Sequence, residues 1–455
     1  MNDKIMDRCG LFGLYNNDNF DTSRIVYYGL FSLQHRGVEA AGICVNNGTK
    51  FQYKRDAGLV IDVFDETALE KLQGHMGIGH VLRYPGQDAV ENAQPIVIRY
   101  TKGQMAVALN GNLKNVEELR KELVLQGAVF QTMEAAEVIS VLISRSRNKF
   151  KTIEDAIADV MPRLKGGYAL LVMTPRKIIG VRDPLGIRPL ALGKKQNSWF
   201  LSSETCAFNE LDVDFEREVC PGEIVIINKD GVSSKMTENV PEKGALCMFE
   251  YVYHSRPDSV LGGIEVFKAR YNMGKELAAI DPVDADAVVW IPDSGLAAAK
   301  GYAETRRLPL ADAFLKNRYY CNKLVLPDAE MFARGINMKL SAIKSQVEGK
   351  RVIVVDDSMI NGTTAGIFVA ALKTAGAKEV HLRIASPQVK YLCLYGASTP
   401  DRKAPSAANC TAEDICQKTG ADSVAFMTLE AMERACKGTQ TGFCTACFNG
   451  VYHVK

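Results

Sequence analysis

The run RVIVVDDSMINGTTAGIFVAALKTAGAK, Arg351–Lys378, constrains the fold of this chain more than any other stretch. Arg351–Val355 is a continuous apolar run of the kind buried on both faces of a sheet, not the alternation of a half-exposed strand. The chain then passes through Asp356 and Asp357 into a helical pattern, with Ile367, Phe368 and Leu372 on one face and a stop at Gly376. Strand, loop and helix in that order make the unit of a parallel sheet. Two further apolar runs repeat it, Ala287–Ile291 with a helical pattern from Leu296, and Glu379–Ala385. The second half therefore reads as an α/β domain.

Open α/β sheets bind ligands beyond the carboxyl ends of their strands, where Asp356 and Asp357 stand. Asn361-Gly362-Thr363-Thr364 then leads into the helix, and backbone N–H groups with threonine hydroxyls at a helix start make a cradle for phosphate. The two carboxylates suit ribose hydroxyls, or a Mg²⁺ ion bridging to a pyrophosphate. A strand-end Asp before a capped helix is common in doubly wound sheets, so the Asp pair alone says no more than that.

The first half differs. Short β-type runs broken by glycine recur at Cys9–Tyr15, Ala40–Val45, Met76–Val81, Met105–Leu109, Tyr168–Met173, Ile178–Val181 and Glu223–Ile227. Helical patterns fall between them, at Asp21–Gln34 and Asn115–Leu125. Strands with few helices predict an α+β layered domain over 9–230. Lys229-Asp230-Gly231 reads as a turn, polar Ser233–Gly244 as a linker, and 245–455 as the second domain.

At 455 residues the chain is long enough for such a division. A net charge of +2 gives no electrostatic case for a nucleic-acid partner. No apolar stretch reaches the ~18 residues of a membrane span. The first residues mix Asp3, Lys4, Asp7 and Arg8 without an apolar core, unlike a secretory signal. A cytoplasmic location is expected. In a reducing compartment the twelve cysteines read as thiols, metal ligands or catalysts before disulfides.

Cys444 and Cys447 form a Cys-x-x-Cys pair, and Cys247 and Cys393 stand in distinctive settings, CMFEYVYHSRPDS and SPQVKYLCLYG. Four such thiolates suit zinc or a [4Fe–4S] cluster, and spacing does not separate the two. Cys206, Cys220, Cys410, Cys416 and Cys436 lack such a context. Cys9, heading the first β-type run, is on its own best read as a small buried hydrophobe.

The motifs CGLFGLY, LQHRG, GIGHV, NGNL, RDPLGIRPLALG, SSETCAF, PGEIVII, FEYVYHSRPDS, IPDSG, KNRY, MKLS, VEGKRVIVVDDS and NGTT follow one another along the chain. In that order they resemble the glutamine phosphoribosylpyrophosphate (PRPP) amidotransferase family. The resemblance implies an N-terminal-nucleophile αββα glutaminase domain followed by a type I phosphoribosyltransferase domain, with glutamine and PRPP as substrates. By resemblance, removal of a Met1–Arg8 propeptide frees Cys9 as the nucleophile. Its new α-amine, of ordinary pKa ~7.7–8.0, can serve as the base for its own thiol. Asn110 and Gly111 match the oxyanion hole, and Arg36, Gly37 and Arg83 the glutamine site. Asp356, Asp357, Ser358, Gly362, Thr363 and Thr364 match the PRPP loop, with one Mg²⁺ at Ser294, Asp356 and Asp357. Cysteines matching Cys247, Cys393, Cys444 and Cys447 hold one [4Fe–4S] cluster in the iron–sulfur branch. A homotetramer is also implied.

The chain departs from the family pattern at ligand contacts. Leu82 is inserted before Arg83, Ala135 takes the place of an Asp that grips the glutamine α-amino group, and Glu134 stands beside it as a substitute. Asn322, Phe332, Asn337 and Asn361 replace arginines, with Lys323 nearby. Two readings follow: a working amidophosphoribosyltransferase with shifted contacts, or a paralogue on the same scaffold. The paralogue would bind a nucleotide or phosphosugar as a regulator, or deliver ammonia to another acceptor.

Overall fold

The computed structural model describes residues 9–83, 89–238, 240–280, 282–317, 340–397 and 408–454. The expectations placed on Met1–Arg8, Asn322, Lys323, Phe332 and Asn337 lie outside them.

The first half is built of β1 (Cys9–Tyr15), β2 (Ala40–Asn46), β3 (Phe51–Ala57), β4 (Met76–Leu82), β5 (Ile96–Tyr100), β6 (Gly103–Leu113) and β7 (Gly166–Met173). It continues with β8 (Ile178–Arg182), β9 (Ala191–Lys195), β10 (Ser198–Ser202), β11 (Asp214–Glu218), β12 (Glu223–Asn228) and β13 (Gly231–Met236). They form two antiparallel sheets, ordered β11-β9-β10-β1-β4-β2-β3 and β13-β12-β8-β7-β6-β5. Side chains alternate along each strand. In β1, Leu11 and Tyr15 pack between the sheets with Ala106, Ala108 and Leu171, while Phe12 and Leu14 face Val26 and Leu30 of the helix Thr22–Ser32. In β6, Val107 and Leu109 face Ile139 and Leu142 of the helix Ala135–Ser146. Helix, sheet, sheet and helix are thus stacked in four layers. Cys9 shares the parity of Leu11, and Asn110 that of Ala106 and Ala108, so both belong to the faces turned between the sheets.

The chain does not leave these sheets at residue 230. Ser233–Met236, read as the start of the linker Ser233–Gly244, belongs to β13 (Gly231–Met236), which pairs with β12 from Glu223↔Met236 to Asn228↔Gly231. Its Ser233, Ser234 and Lys235 are polar because β13 is an exposed edge strand, where such residues discourage further pairing.

In the second half, strands Leu310–Ala311, Ala287–Trp290, Arg351–Asp356, Glu379–Ile384 and Ser423–Phe426 make a five-stranded sheet in that order. Every pairing in it is parallel. The helix Thr363–Thr374 covers one side through Phe368, Val369 and Leu372. Helices Val266–Ile280 and Leu296–Arg306 cover the other, with Met273, Leu277 and Ala299 in its core. They touch backbone to backbone: a Cβ on Gly274 would lie 1.8 Å from the Ala298 carbonyl oxygen. The cysteine-rich tail returns to the start of this half, where Phe443–Cys444 pairs with Leu246–Cys247. No helix among the described residues is long and apolar enough to cross a membrane.

Candidate active site

Cys9 heads β1 in the interior of its sheet, 3% exposed and paired with Leu82 of β4. Leu82 packs against it with Ala40, Ala89 and Ala93. The extra Leu82 therefore completes β4 opposite Cys9, in unbroken register with both β1 and β2. Arg83 follows beyond the strand end. The displacement of Arg83 thus falls beyond the paired ladder, where strand alternation does not set its face. The Arg83 Nε is buried without a hydrogen-bond partner among the described residues.

The strand β6 brings Asn110 and Gly111 to this region. Asn110 is fully buried, its Nδ2 donating to Ser203 Oγ at 3.4 Å, and its Oδ1 has no partner among the described residues. Gly111 adopts φ +127°, and a Cβ there would sit 2.1 Å from the Gly167 carbonyl oxygen, so only glycine fits. Ser203 joins the two strands: its Oγ also accepts from the Leu11 N–H at 3.0 Å, and its own N–H donates to the Leu11 carbonyl at 3.0 Å.

Leu109, one residue before Asn110, is held at both backbone groups by side chains. Its N–H donates to Gln94 Oε1 at 2.7 Å, and its carbonyl lies 3.1 Å from His80 Nε2. The β5 pairing ends at Ile96↔Val107, so these side chains continue what the ladder leaves off. Burial pushes the His80 pKa down to about 4, which keeps the ring neutral near pH 7. Gln94 Nε2 reaches Glu134 Oε2 at 3.3 Å, and Ala135 begins the helix behind it. Glu134 is thus a buried carboxylate tied to the Asn110 strand through one glutamine side chain.

Arg36 and Gly37 lie alongside, but not in the same way. A Cβ on Gly37 would strike the Leu82 backbone N at 2.5 Å, so the Gly37 main chain runs directly against the end of β4. The Arg36 side chain is fully buried and bound to Glu204 and Glu250. Burial alone would raise the Glu204 carboxyl pKa, but Arg36 and His35 outweigh it and hold it below the carboxylate range.

At the end of Arg351–Asp356, Asp356, Asp357 and Ser358 are all buried. Asp357 N–H donates to Asp356 Oδ1 at 2.9 Å, and Ser358 Oγ donates to Asp357 Oδ1 at 2.6 Å. Gly362, at φ +74°, turns the chain into the helix Thr363–Thr374, whose start carries no side-chain cap. Thr363 is exposed and Thr364 half-buried, leaving that helix start open to a ligand. Half-buried Ser294 stands in the turn after the adjacent strand, whose Trp290 pairs with Val355. The carboxyl ends of two adjacent interior strands, with the helix start that follows, thus carry the residues expected at the PRPP loop.

Cys247 and Cys444 are direct strand partners. Cys447 follows on a short helix, and its carbonyl accepts from the Lys390 and Tyr391 N–H groups at 2.9 and 3.0 Å, which brings the Cys393 segment alongside. Burial pushes the thiols of Cys247, Cys444 and Cys447 up, and neighbouring cysteine thiols add to the rise. The motifs SSETCAF and FEYVYHSRPDS carry Ser203, Glu204 and Glu250, to which the sequence alone assigns no role. It assigns none to Gln94 or His80 either. A buried Glu beside HRG is legible only once the strands are paired.

Residues 80–210 match the family described as a glutamine amidotransferase domain. The chain is 42% identical to the amidophosphoribosyltransferase of Methanocaldococcus jannaschii, over 98% of its own length and 97% of that protein. It is 41% identical to the amidophosphoribosyltransferase of Bacillus subtilis, over 98% and 94%. Among solved structures it superposes, with a TM-score of 0.92 and 41% identity, on glutamine PRPP amidotransferase from B. subtilis complexed with ADP and GMP, covering 98% of both chains. The four-layered half is accordingly the N-terminal-nucleophile fold and the parallel half the type I phosphoribosyltransferase fold. The chain belongs to the amidophosphoribosyltransferase family.

Proposed function

We propose that this chain makes 5-phosphoribosylamine from PRPP and ammonia released from glutamine, the first step of de novo purine synthesis. The observation that carries the reading is a pair of half-sites in one polypeptide. A thiol heads a strand that Ser203 joins to Asn110, and a carboxylate pair precedes an open helix start.

In the glutamine half, removal of Met1–Arg8 gives Cys9 an α-amine that takes the thiol proton. The thiolate adds to the carboxamide carbon, and Asn110 Nδ2 with the Gly111 N–H receives the oxygen as it gains charge. Each such donor is worth about 2.7–4 kcal/mol in comparable sites. Ammonia leaves, and water hydrolyses the thioester to glutamate. Arg83, whose Nε has no partner among the described residues, is assigned to the α-carboxylate, and Glu134 to the α-amino group in place of the missing Asp.

In the second half, ammonia displaces pyrophosphate from the ribose carbon of PRPP. The Gly362–Thr364 turn receives the 5-phosphate, and Asp356 and Asp357 face the ribose hydroxyls. Their oxygens, with Ser294, suit Mg²⁺, which binds through one or two carboxylates plus substrate phosphates rather than a cage of protein ligands. Bound there, it would neutralise charge on the departing pyrophosphate.

Cys247, Cys393, Cys444 and Cys447 are assigned to one [4Fe–4S] cluster. Buried thiols that repel one another as thiolates suit a cationic centre. The cluster would tie the tail to the start of the second half. The described cysteines are all free thiols, in keeping with a reducing, cytoplasmic setting. A homotetramer is the proposed assembly.

Protein purified without oxygen and given glutamine, PRPP and Mg²⁺ should release glutamate and pyrophosphate together. Glutamate without pyrophosphate would instead identify an ammonia donor to another acceptor.

A further inference from the structure

Between the two halves lies a fully buried group of charges that the chemistry above does not use. Arg36 and Glu204 come from the first half, Glu250 from the second, and Arg188 from the turn after β8; each is at most 1% exposed. Glu250 Oε2 receives Arg36 Nη2 at 2.5 Å and Ser255 Oγ at 2.5 Å, and its Oε1 receives Arg188 Nη1 at 3.3 Å. Two cations thus meet on one carboxylate, with Glu204 balancing the second charge.

Each arginine leads to one part of the glutamine machinery. The Arg36 stem lies against Gly10, next to Cys9: a Cβ on Gly10 would be 3.4 Å from Arg36 Cδ. Arg188 Nε donates to the Tyr395 carbonyl at 3.2 Å. The next residue, Gly396, is pressed so closely on Gly111 that a Cβ would lie 2.7 Å from both its Cα and its carbonyl carbon. Glu250 also heads a π-helical turn, Glu250–His254, a form that recurs at functional sites.

We propose that Glu250 is a positioning residue for the glutamine half-reaction: one carboxylate from the second half fixes Arg36 against the Cys9 strand and, through Arg188 and Gly396, fixes the Gly111 turn. The proposal rests on the glutamine reading of Cys9 and Gly111 and extends it across the domain boundary. Arg270, buried on the helix Val266–Ile280, ties that helix to the same π-helical turn, its Nε donating to the Tyr251 carbonyl and its Nη2 to the Ser255 carbonyl, each at 2.7 Å.

The test uses Glu250→Gln and Glu250→Asp in the full chain purified without oxygen. Pyrophosphate release is measured with glutamine and with ammonium chloride, together with amide hydrogen exchange resolved by peptide. E250Q should lower the glutamine-supported kcat at least 10-fold, with KM for glutamine and the ammonium-supported rate within 3-fold of the parent. Exchange should rise in segments 9–15 and 109–113 and stay constant in 351–356. E250D, which keeps the charge but not the reach, should lower the glutamine-supported kcat at least 3-fold. Equal loss with both nitrogen sources, an unchanged glutamine-supported rate, or a uniform rise in exchange would overturn the proposal. A parent protein inactive with both nitrogen sources would contradict the functional reading, while the exchange pattern would still decide the role of Glu250.

Discussion

Replacing Ser203 with alanine probes the joint between nucleophile strand and oxyanion residue. Ser203 Oγ accepts from the Leu11 N–H at 3.0 Å and from Asn110 Nδ2 at 3.4 Å. Both donors are buried, so water cannot replace the lost acceptor. Leaving the Leu11 N–H unsatisfied costs about 1–3 kcal/mol, and the longer Asn110 bond adds little. For a unit of this size that corresponds to about 2–12 °C in Tm, at roughly 2–4 °C per kcal/mol. The catalytic effect should be separate. Asn110 loses its tether and its donor drifts, so the glutamine-supported kcat falls by up to about 10²–10³-fold, the full worth of one oxyanion donor. KM for glutamine and the ammonium-supported rate should stay near the parent values. Thermal unfolding with steady-state kinetics on both nitrogen sources reads all of this. An unchanged Tm with an unchanged kcat would refute the bridging role. Parallel loss with glutamine and ammonium would show a general structural effect.

Two further predictions concern His80 and the cysteines. The unfolded His80 takes up a proton below its ordinary pKa of 6.5, the folded one only below about 4. Stability is therefore full above pH 6.5 and declines as pH falls towards 4, by about 3 kcal/mol in all at roughly 1.4 kcal/mol per pH unit. Urea unfolding at pH 7 and pH 4.5 should show about 2 kcal/mol of that loss in the parent and a flatter profile in His80→Gln, which keeps an N–H for the Leu109 carbonyl; identical profiles would refute the assignment. Cys444→Ser should remove the broad visible absorption and the bound iron and sulfide of protein purified without oxygen, whereas a colourless parent containing zinc would count against the cluster.

Local patterns carried much of the fold. The apolar run before Asp356 requires burial on both faces, and the strand Arg351–Asp356 lies inside a parallel sheet as that pattern demands. Gly231–Met236 did not announce itself, because an edge strand carries the polar residues of a linker. At the site, the residues gathered at the PRPP loop lie close in sequence and could be read together. The surroundings of the Cys9 strand could not: Ser203 bonds Leu11 and Asn110 bonds Ser203, both from far along the chain. Arg83 shows the converse. The inserted Leu82 is visible in sequence, but only its pairing with Cys9 shows that Arg83 falls beyond the strand end. Arg36 and Glu250, in motifs far apart, meet only across the boundary between the two halves.

The central claim is that one polypeptide releases ammonia at Cys9 and consumes it at Asp356 and Asp357. It is tested most directly by Cys9→Ala, assayed for pyrophosphate release from PRPP and Mg²⁺. With glutamine the variant should release none, and with ammonium chloride its rate should lie within 3-fold of the parent. Pyrophosphate release from glutamine by the variant, or loss of the ammonium-supported reaction, would contradict the account.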